Sequence, residues 1–275
     1  MTVDFDGSLE AVAEESPLVN AVTNTVTVND VAQVILHWGG LPVMSDDERE
    51  VGDMVAASEA CLLNMGTVSE VGEATMVTAG QAANEADVPV VVDPVGVGST
   101  PTRNRVADRL ASEFDVAAIN GNYGEITKLA GDDAAVRGVE SVGEYSDIST
   151  TAVACAQEYD TVVVASGDVD IVATADAAYE VTAGHPQMGT VVGTGCMLGG
   201  SIATFAGAIE DTERAALAGT VAFGLAGEAA AAGEFGDVHG PGSYNVAFKD
   251  AVAGLGDTEH DAAESRIEQV LDAGA

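Results

Sequence analysis

The sequence predicts one α/β domain, 1–275, in which helices cover both faces of a mostly parallel sheet. Segments with strand-like and helix-like patterns alternate along the 275 residues. Two strand-like segments, Val88–Pro94 and Thr161–Ala165, are rich in β-branched residues, as expected for strands buried on both faces. Hydrophobic residues make up 47% of the chain and aromatic residues only 4%, so small aliphatic side chains must build the core.

The first part of the chain reads as short helices and strands. Val31–Trp38 has apolar residues at helical spacing and stops at Gly39-Gly40, which is typical of a glycine C-cap. The stretch Asn20–Asp30 is dense in amides and hydroxyls, which either cap a helix or contact a ligand. The other predicted elements are helices at Leu9–Glu15 and Val51–Ser58 and strands at Pro17–Val19, Leu41–Met44 and Ala60–Met65.

The middle of the chain repeats the strand–helix unit, which indicates right-handed βαβ connections and therefore a parallel sheet. Asp132–Asp147 is a polar stretch without a clear pattern. The predicted elements are helices at Glu70–Glu85, Arg103–Glu113, Thr150–Glu158 and near Glu125, strands at Val88–Pro94, Val116–Ile119 and Thr161–Ala165, and a turn at Asn120-Gly121-Asn122.

The last part of the chain predicts a hairpin and three helices. Asp170–Thr174 and Ala178–Thr182 read as a β-hairpin at one edge of the sheet. Helices are expected at Met197–Ala208 and Thr212–Ala232, and a final amphipathic helix near Ala262–Leu271. No internal repeat or linker divides the chain.

The charge balance excludes several kinds of partner. The chain has 45 acidic and 9 basic side chains, a formal net charge of −36, and would repel nucleic acid and anionic membranes. Such a composition resembles that of proteins from salt-accumulating halophiles. An acidic disordered tail is the alternative, but the acids are spread along periodic segments.

The cysteines and the N-terminus predict a cytoplasmic protein. Cys61, Cys155 and Cys196 have no metal-type spacing and no disulfide pattern, which favours a reducing compartment. The chain starts with neither a basic region nor a hydrophobic segment, and no apolar run reaches eighteen residues without a break.

The stretch Val191–Gly200 is the candidate centre of the chain. Gly193 and Gly195 frame a turn just before a predicted helix, whose first N–H groups lack partners and carry partial positive charge. A phosphate fits such a turn. The alternative is a glycine-rich helix start that packs closely against a strand.

Polar side chains end four predicted strand units, where ligands bind in open α/β sheets. They are Asp93, Asn120-Gly121-Asn122 with Glu125, Ser166-Gly167-Asp168 and the turn Gly193–Cys196. Carboxylates beside an anion-binding turn predict a Mg²⁺–nucleotide site, although each residue alone is also a common helix cap. A Walker loop with its lysine is absent, which argues against P-loop and Rossmann readings.

Taken together, these motifs resemble the hydroxyethylthiazole kinase family from about Pro17 to Lys249. The motifs that carry the resemblance are Thr23-Asn24 with Asn29-Asp30, Gly40-Leu41-Pro42-Val43-Met44, Asp93-Pro94-Val95-Gly96-Val97-Gly98, Gly121-Asn122 with Gly124-Glu125-Ile126, and Gly193-Thr194-Gly195-Cys196-Met197-Leu198. The resemblance implies a ribokinase-like α/β fold. It also implies transfer of the γ-phosphoryl of ATP, with Mg²⁺, to the hydroxyl of 4-methyl-5-(2-hydroxyethyl)thiazole in thiamine salvage.

The same resemblance assigns roles to residues. The thiazole would lie near Asn24, Met44 and Gly193, in a pocket shared between subunits of a homotrimer. ATP would contact Asn120, Asn122, Ser166, Thr194 and Gly195; Asp93 and Glu125 would lie near the metal and phosphates; and Cys196 would be the catalytic residue.

The chain departs from the family pattern at several positions. The family often has Arg where this chain has Asn120, Thr at Ser166 and His at Asn20. Other ribokinase-like enzymes carry an Asp base at the position of Cys196, and a thiol becomes a useful base only if its pKa is lowered; otherwise Cys196 is a small buried packing residue. The open alternatives are another ribokinase-like alcohol kinase, a hydrate dehydratase, or a non-catalytic thiazole- or nucleotide-binding trimer.

Overall fold

The computed structural model describes residues 3–131, 136–137, 140–141, 147–258, 260 and 262–273. The helices are α1 (Phe5–Glu15), α2 (Val28–His37), α3 (Val51–Ala56), α4 (Glu70–Glu85), α5 (Pro101–Ser112), α6 (Tyr123–Leu129), α7 (Ile148–Tyr159), α8 (Thr194–Ala208), α9 (Thr212–Ala232) and α10 (Pro241–Gly254). The strands are β1 (Leu18–Val22), β2 (Leu41–Val43), β3 (Ala60–Asn64), β4 (Val90–Asp93), β5 (Ala118–Asn122), β6 (Val136–Arg137), β7 (Glu140–Ser141), β8 (Val162–Ser166), β9 (Asp170–Ala173), β10 (Ala177–Val181) and β11 (Ile267–Asp272).

Nine of these strands form one sheet in the order β11-β10-β9-β8-β5-β4-β3-β1-β2. The six strands from β8 to β2 run parallel to one another, whereas β9, β10 and β11 add an antiparallel extension. The predicted mostly parallel sheet is therefore confirmed. The short strands β6 and β7 pair separately.

Helices cover both faces of the sheet, as the alternating pattern predicts. Neighbouring residues of one strand enter different apolar layers: Leu62 belongs to the layer with α2, α8, α9 and α10, and Leu63 to the layer with α3 to α7. Val91 and Val92 divide in the same way. This alternation follows from the pleat of a strand, which points successive side chains to opposite faces.

Most predicted helices lie where their patterns place them. Glu70–Glu85 and Thr212–Ala232 match residue for residue, while α1 starts earlier, at Phe5, because Asp4 caps it by accepting a hydrogen bond from the Gly7 N–H. Among the described residues α9 alone is long and apolar enough to span a membrane, but 72% of its most apolar window is buried inside the protein.

Two local predictions in this part of the chain need correction. Asn120-Gly121-Asn122 is not a turn, because β5 extends through Asn122 and pairs in register with β8 as far as Ser166. The hairpin β9–β10 is real but does not form the edge, which β11 occupies beside β10. Of the polar stretch Asp132–Asp147, much lies outside the described residues.

The final segment is a strand and not the helix predicted at Ala262–Leu271. A register shift between Ala178 and Tyr179 leaves Val270 as an extra residue in β11. As a result, Ile267 packs against one layer of the core and Leu271 against the other. In a helix, Ile267 and Leu271 would share one face because they are four residues apart. In β11 the bulge turns them to opposite faces of the sheet, so the same apolar spacing belongs here to a strand.

Candidate active site

The carboxyl ends of the parallel strands and the start of α8 form one cluster of polar groups. Asn64 ends β3, Asp93 ends β4 and Ser166 ends β8. Asn120 lies two residues before the end of β5, and its Nδ2 donates to the Gly195 carbonyl in the first turn of α8 at 3.1 Å. The strand ends and the glycine-rich turn, which lie far apart in sequence, therefore meet in space.

The start of α8 depends on two glycines. Gly193, the N-cap residue, has φ +92°, and a Cβ at this position would overlap Thr27 Cγ2. Gly199 lies six residues further on, in the second turn of α8, where a Cβ would be 3.3 Å from both Asn120 Nδ2 and Asp93 Oδ2. The helix therefore approaches the strand ends closely.

A chain of side-chain amides links this turn to Asp93. Asn24 Nδ2 lies 2.8 Å from Thr27 Oγ1, 2.9 Å from Asn64 Oδ1 and 3.5 Å from Cys196 Sγ. Asn64 Nδ2 then donates to Asp93 Oδ2 at 2.6 Å. All of these side chains are buried.

The two carboxyl groups of the cluster are buried and interact with each other. Burial raises the pKa of Asp93 well above its usual range, and the charge of Glu125 raises it further, against the hydrogen bonds from Asn64 and Asn120. Burial also raises the pKa of Glu125 to about 7, against hydrogen bonds from the Gly96 and Asn122 N–H groups. A cation placed between such carboxylates would favour their charged forms.

Glu125 is held in place by the start of α6. It forms a capping box with Asn122, whose side chain accepts from the Glu125 N–H at 3.0 Å while Glu125 Oε2 accepts from the Asn122 N–H at 2.8 Å. Its other oxygen, Oε1, accepts from the Gly96 N–H at 2.6 Å. Asn122 and Glu125 therefore cap α6, and a contact of either residue with a ligand stays a prediction.

Cys196 lies in the first turn of α8 and is 9% exposed. Burial raises the pKa of its thiol to about 11, and the nearby charge of Asp93 adds to the effect. The lowered pKa that a thiolate base requires is therefore absent, and the thiol keeps its proton at neutral pH.

Residues 9–258 match the hydroxyethylthiazole kinase family. The chain is 64% identical over 271 residues to a hydroxyethylthiazole kinase of Natronomonas pharaonis, covering 98% of this chain and 96% of that one. The chain belongs to the hydroxyethylthiazole kinase family. A solved hydroxyethylthiazole kinase structure from Pyrococcus horikoshii OT3 superposes with a TM-score of 0.84 at 30% identity, over 97% of this chain and 99% of that one.

The fold of this hydroxyethylthiazole kinase family member extends to a wider superfamily. A ribokinase-like superfamily protein from Enterococcus faecalis V583 superposes with a TM-score of 0.62 at 11% identity, over 90% of this chain and 88% of that one. At such low identity the likeness concerns the fold alone. The expected ribokinase-like α/β fold is thus confirmed.

The structure joins five of the predicted site residues of this family member by direct contacts. Asn24, Asp93, Asn120, Gly195 and Cys196 belong to the amide and α8 network described above. Ser166 lies beside β5, where its Oγ donates to the Gly121 carbonyl at 3.4 Å. Met44 follows β2 and is half-buried against the layer of the core that contains α8.

Two further residues of the site escaped the sequence interpretation. Asn64 stands at the end of β3, in the same position relative to its strand as Asp93 in β4, and this symmetry could have revealed it. Arg103, in the first turn of α5, donates to the carbonyls of Met65 and Gly66 at 2.9 Å each and to that of Val95. It holds together the loops after β3 and β4, and the sequence contains no sign of this role.

Proposed function

We propose that this protein transfers the γ-phosphoryl group of ATP, with Mg²⁺, to the hydroxyl of 4-methyl-5-(2-hydroxyethyl)thiazole, a step of thiamine salvage. Family membership supports the reaction class. The observation that carries the proposal is the pair of buried, interacting carboxyl groups Asp93 and Glu125, of which Asp93 lies against α8. This arrangement suits a magnesium-bound polyphosphate.

The residues present fit Mg²⁺ better than a cation that needs a protein cage. Among the described residues no group of three or more His, Cys, Asp or Glu side chains could hold a metal ion. Mg²⁺ commonly takes one or two carboxylates and completes its shell with phosphate oxygens and water, so Asp93 and Glu125 would hold it. When bound, it neutralises charge on the phosphate oxygens.

The remaining groups position the reactants. The N–H groups of the first turn of α8, among them those of Thr194 and Gly195, would stabilise charge on the transferring phosphoryl group, because the first N–H groups of a helix lack partners within it. Asn120, Asn122 and Ser166 would contact ATP, and Asn120 Oδ1 is buried without a partner among the described residues. The alcohol oxygen forms the new bond to the γ-phosphorus as the bond between that phosphorus and the leaving oxygen of ADP breaks, and the alcohol proton is released to solvent.

We assign the thiazole to Asn24, Met44 and Gly193, and a positioning role to Cys196. With a pKa of about 11, the thiol does not accept the alcohol proton at neutral pH in the form described here. Its sulfur lies 3.5 Å from the amide of Asn24 and close to the charge of Asp93. Cys196 is therefore placed between a residue assigned to the thiazole and a residue assigned to the metal.

We further propose a cytoplasmic homotrimer that works at high salt and completes the thiazole pocket across its interfaces. Two apolar residues are exposed near the start of α8: Val26 is 71% exposed and Val192 is 76% exposed, and Thr27 and Gly193, the residues beside them, are in contact. The formal charge of −36 requires dissolved cations to screen the approach of three copies.

The experiment is a phosphorylation assay in molar KCl with ATP, Mg²⁺ and a panel of alcohols that includes the thiazole and a pyrimidine alcohol, with detection of the phosphate ester. Thiazole phosphate as the main product is expected, and Asp93→Asn should abolish it. A preference for the pyrimidine alcohol would favour another alcohol kinase. ATP-dependent dehydration of hydrated NAD(P)H would indicate a dehydratase. Binding of the thiazole or of ATP without turnover would indicate a non-catalytic binding protein.

A further inference from the structure

Asn64 connects the two halves of the site. It is the last residue of β3 and pairs in register with Asp93 on the parallel strand β4. Its side chain is 2% exposed and makes hydrogen bonds in two directions, toward Asn24 and toward Asp93. One carboxamide thus bridges the residue assigned to the thiazole and the residue assigned to the metal and phosphates.

The orientation of the Asn64 carboxamide is fixed by a backbone group. Its Oδ1 accepts a hydrogen bond from the Gly66 N–H at 3.0 Å, and a backbone N–H can only donate. Nδ2 must therefore point the other way, to Asp93 Oδ2 at 2.6 Å. A rotated amide would place an N–H group against the Gly66 N–H and an oxygen against a carboxylate.

The Asn24 carboxamide is fixed by the same logic. Its Oδ1 accepts from the N–H groups of Val26 and Thr27, each at 3.0 Å. Its Nδ2 must therefore face Asn64 Oδ1. Both amides thus point their N–H groups in a determined direction, and the chain Asn24–Asn64–Asp93 has a single polarity.

A buried chain of this kind transmits position as well as charge. Each member is buried, so a hydrogen bond that is broken is not replaced by water. If Asn64 is removed, Asn24 keeps its two backbone partners, whereas Asp93 loses a bond of 2.6 Å and keeps the hydrogen bond from Asn120. The loss therefore falls mainly on the Asp93 side.

We propose that Asn64 is a positioning residue that holds the Asp93 carboxylate in register with the Asn24 amide, so that the phosphoryl group and the thiazole hydroxyl meet at the correct distance. This inference rests on the proposed function. Asn64 itself does not need to touch either reactant. Its contribution is to the alignment of reacting groups, and a misplacement of about 1 Å can cost about 100-fold in rate.

The test compares two variants of Asn64 with a matched control. Asn64→Leu keeps the size but removes both hydrogen-bonding directions, whereas Asn64→Asp keeps the acceptor for Asn24 and Gly66 but presents an oxygen to Asp93. Asn84→Ala is the control, because Asn84 also makes two hydrogen bonds, both to the backbone of Asp115, on the exposed surface. Folding and assembly are checked by circular dichroism and sedimentation in molar KCl.

We expect kcat to fall about 100-fold in both Asn64 variants, while the KM for the thiazole and its Kd by calorimetry without nucleotide stay within fivefold of the parent. Asn84→Ala should keep the parent kcat. If Asn64→Leu does not fold, Asn64→Asp provides the same comparison, since it retains the hydrogen bonds from Asn24 and Gly66.

A folded variant with kcat within threefold of the parent would overturn the proposal, as would a loss of thiazole affinity as large as the loss of kcat. These results differ from failure of the proposed function, in which the parent protein itself would phosphorylate none of the alcohols.

Discussion

Gly193→Ala tests the backbone of the turn before α8. Gly193 has φ +92°, and a left-handed conformation costs a residue with a Cβ about 1–2 kcal/mol. The added methyl would also overlap Thr27 Cγ2, on a side chain that is only 3% exposed. Overpacking of this kind costs about 1–3 kcal/mol, so the variant should lose about 2–5 kcal/mol of unfolding free energy.

A second substitution separates the two costs. Thr27→Ser removes the methyl group that the new Cβ would meet but keeps the hydroxyl that accepts from Asn24 Nδ2 at 2.8 Å. Alone it should cost about 1 kcal/mol for one buried methyl. Combined with Gly193→Ala it should remove the overlap and leave the backbone strain, so the double-mutant cycle should show a favourable coupling of about 1–3 kcal/mol.

The measurement is urea unfolding in molar KCl at one protein concentration, together with the KM for the thiazole. Gly193→Ala should also raise this KM, and Thr27→Ser should partly restore it. A Gly193→Ala protein as stable as the parent would show that residue 193 does not hold the left-handed conformation. Additive costs in the double variant would show that Thr27 is not the neighbour that limits it.

Four further predictions concern the chemistry, the nucleotide, the assembly and the response to acid. Cys196→Ala should lower kcat more than it raises the KM for the thiazole, and Cys196→Asp should retain activity. A kcat equal to that of the parent in the Ala variant would show that Cys196 is a packing residue only. Asn120→Arg should tighten ATP binding about tenfold to a hundredfold, and less in molar salt, because a charge-assisted hydrogen bond contributes about 1.5–3 kcal/mol. Calorimetry at two salt concentrations measures the Kd for ATP, and an unchanged Kd would show that the nucleotide does not lie beside Asn120. Sedimentation across a KCl series should show a trimer that needs molar salt, and an active monomer at high salt would contradict a shared pocket. Hydrogen bonds from Arg105 and Arg109 lower the pKa of Glu73 to about 2, so the ionised Glu73 should stabilise the fold above the usual carboxyl pKa and cease to do so as pH falls toward 2. Glu73→Gln should therefore lower the free energy of unfolding at pH 7 but hardly at pH 2. An equal loss of unfolding free energy at both pH values would exclude an ionic role.

The sequence predicts the sheet and most helices because their signals are local. The β-branched run of β4 and the apolar spacing of α4 need no knowledge of the rest of the chain. Helix α10 also carries such a signal, since Tyr244, Ala247, Phe248 and Ala251 are buried at helical spacing after Pro241, yet the sequence interpretation missed it.

The errors at β11 and in the site have a different origin. The bulge at Val270 exists only in relation to β10, so the spacing within β11 misleads when it is read alone. The contacts of Asn64 join residues 40 and 29 positions away, and those of Arg103 reach up to 38 positions. No local pattern encodes the partners of these contacts, although the position of Asn64 at a strand end marks it as a candidate. The family motifs located Asn24, Asp93 and Glu125 because those residues stand within recognisable runs.

The guanidinium fork of Arg103 has a consequence for the entropy of ligand binding. It ties the carbonyls of Met65 and Gly66 to that of Val95, and the neighbouring Gly96 N–H is bound to Glu125. The two glycine-containing loops beside the carboxylates are therefore ordered before any ligand arrives. A polyphosphate that binds here does not have to immobilise them, and backbone amides such as that of Gly96 should exchange their hydrogens slowly even in the ligand-free protein.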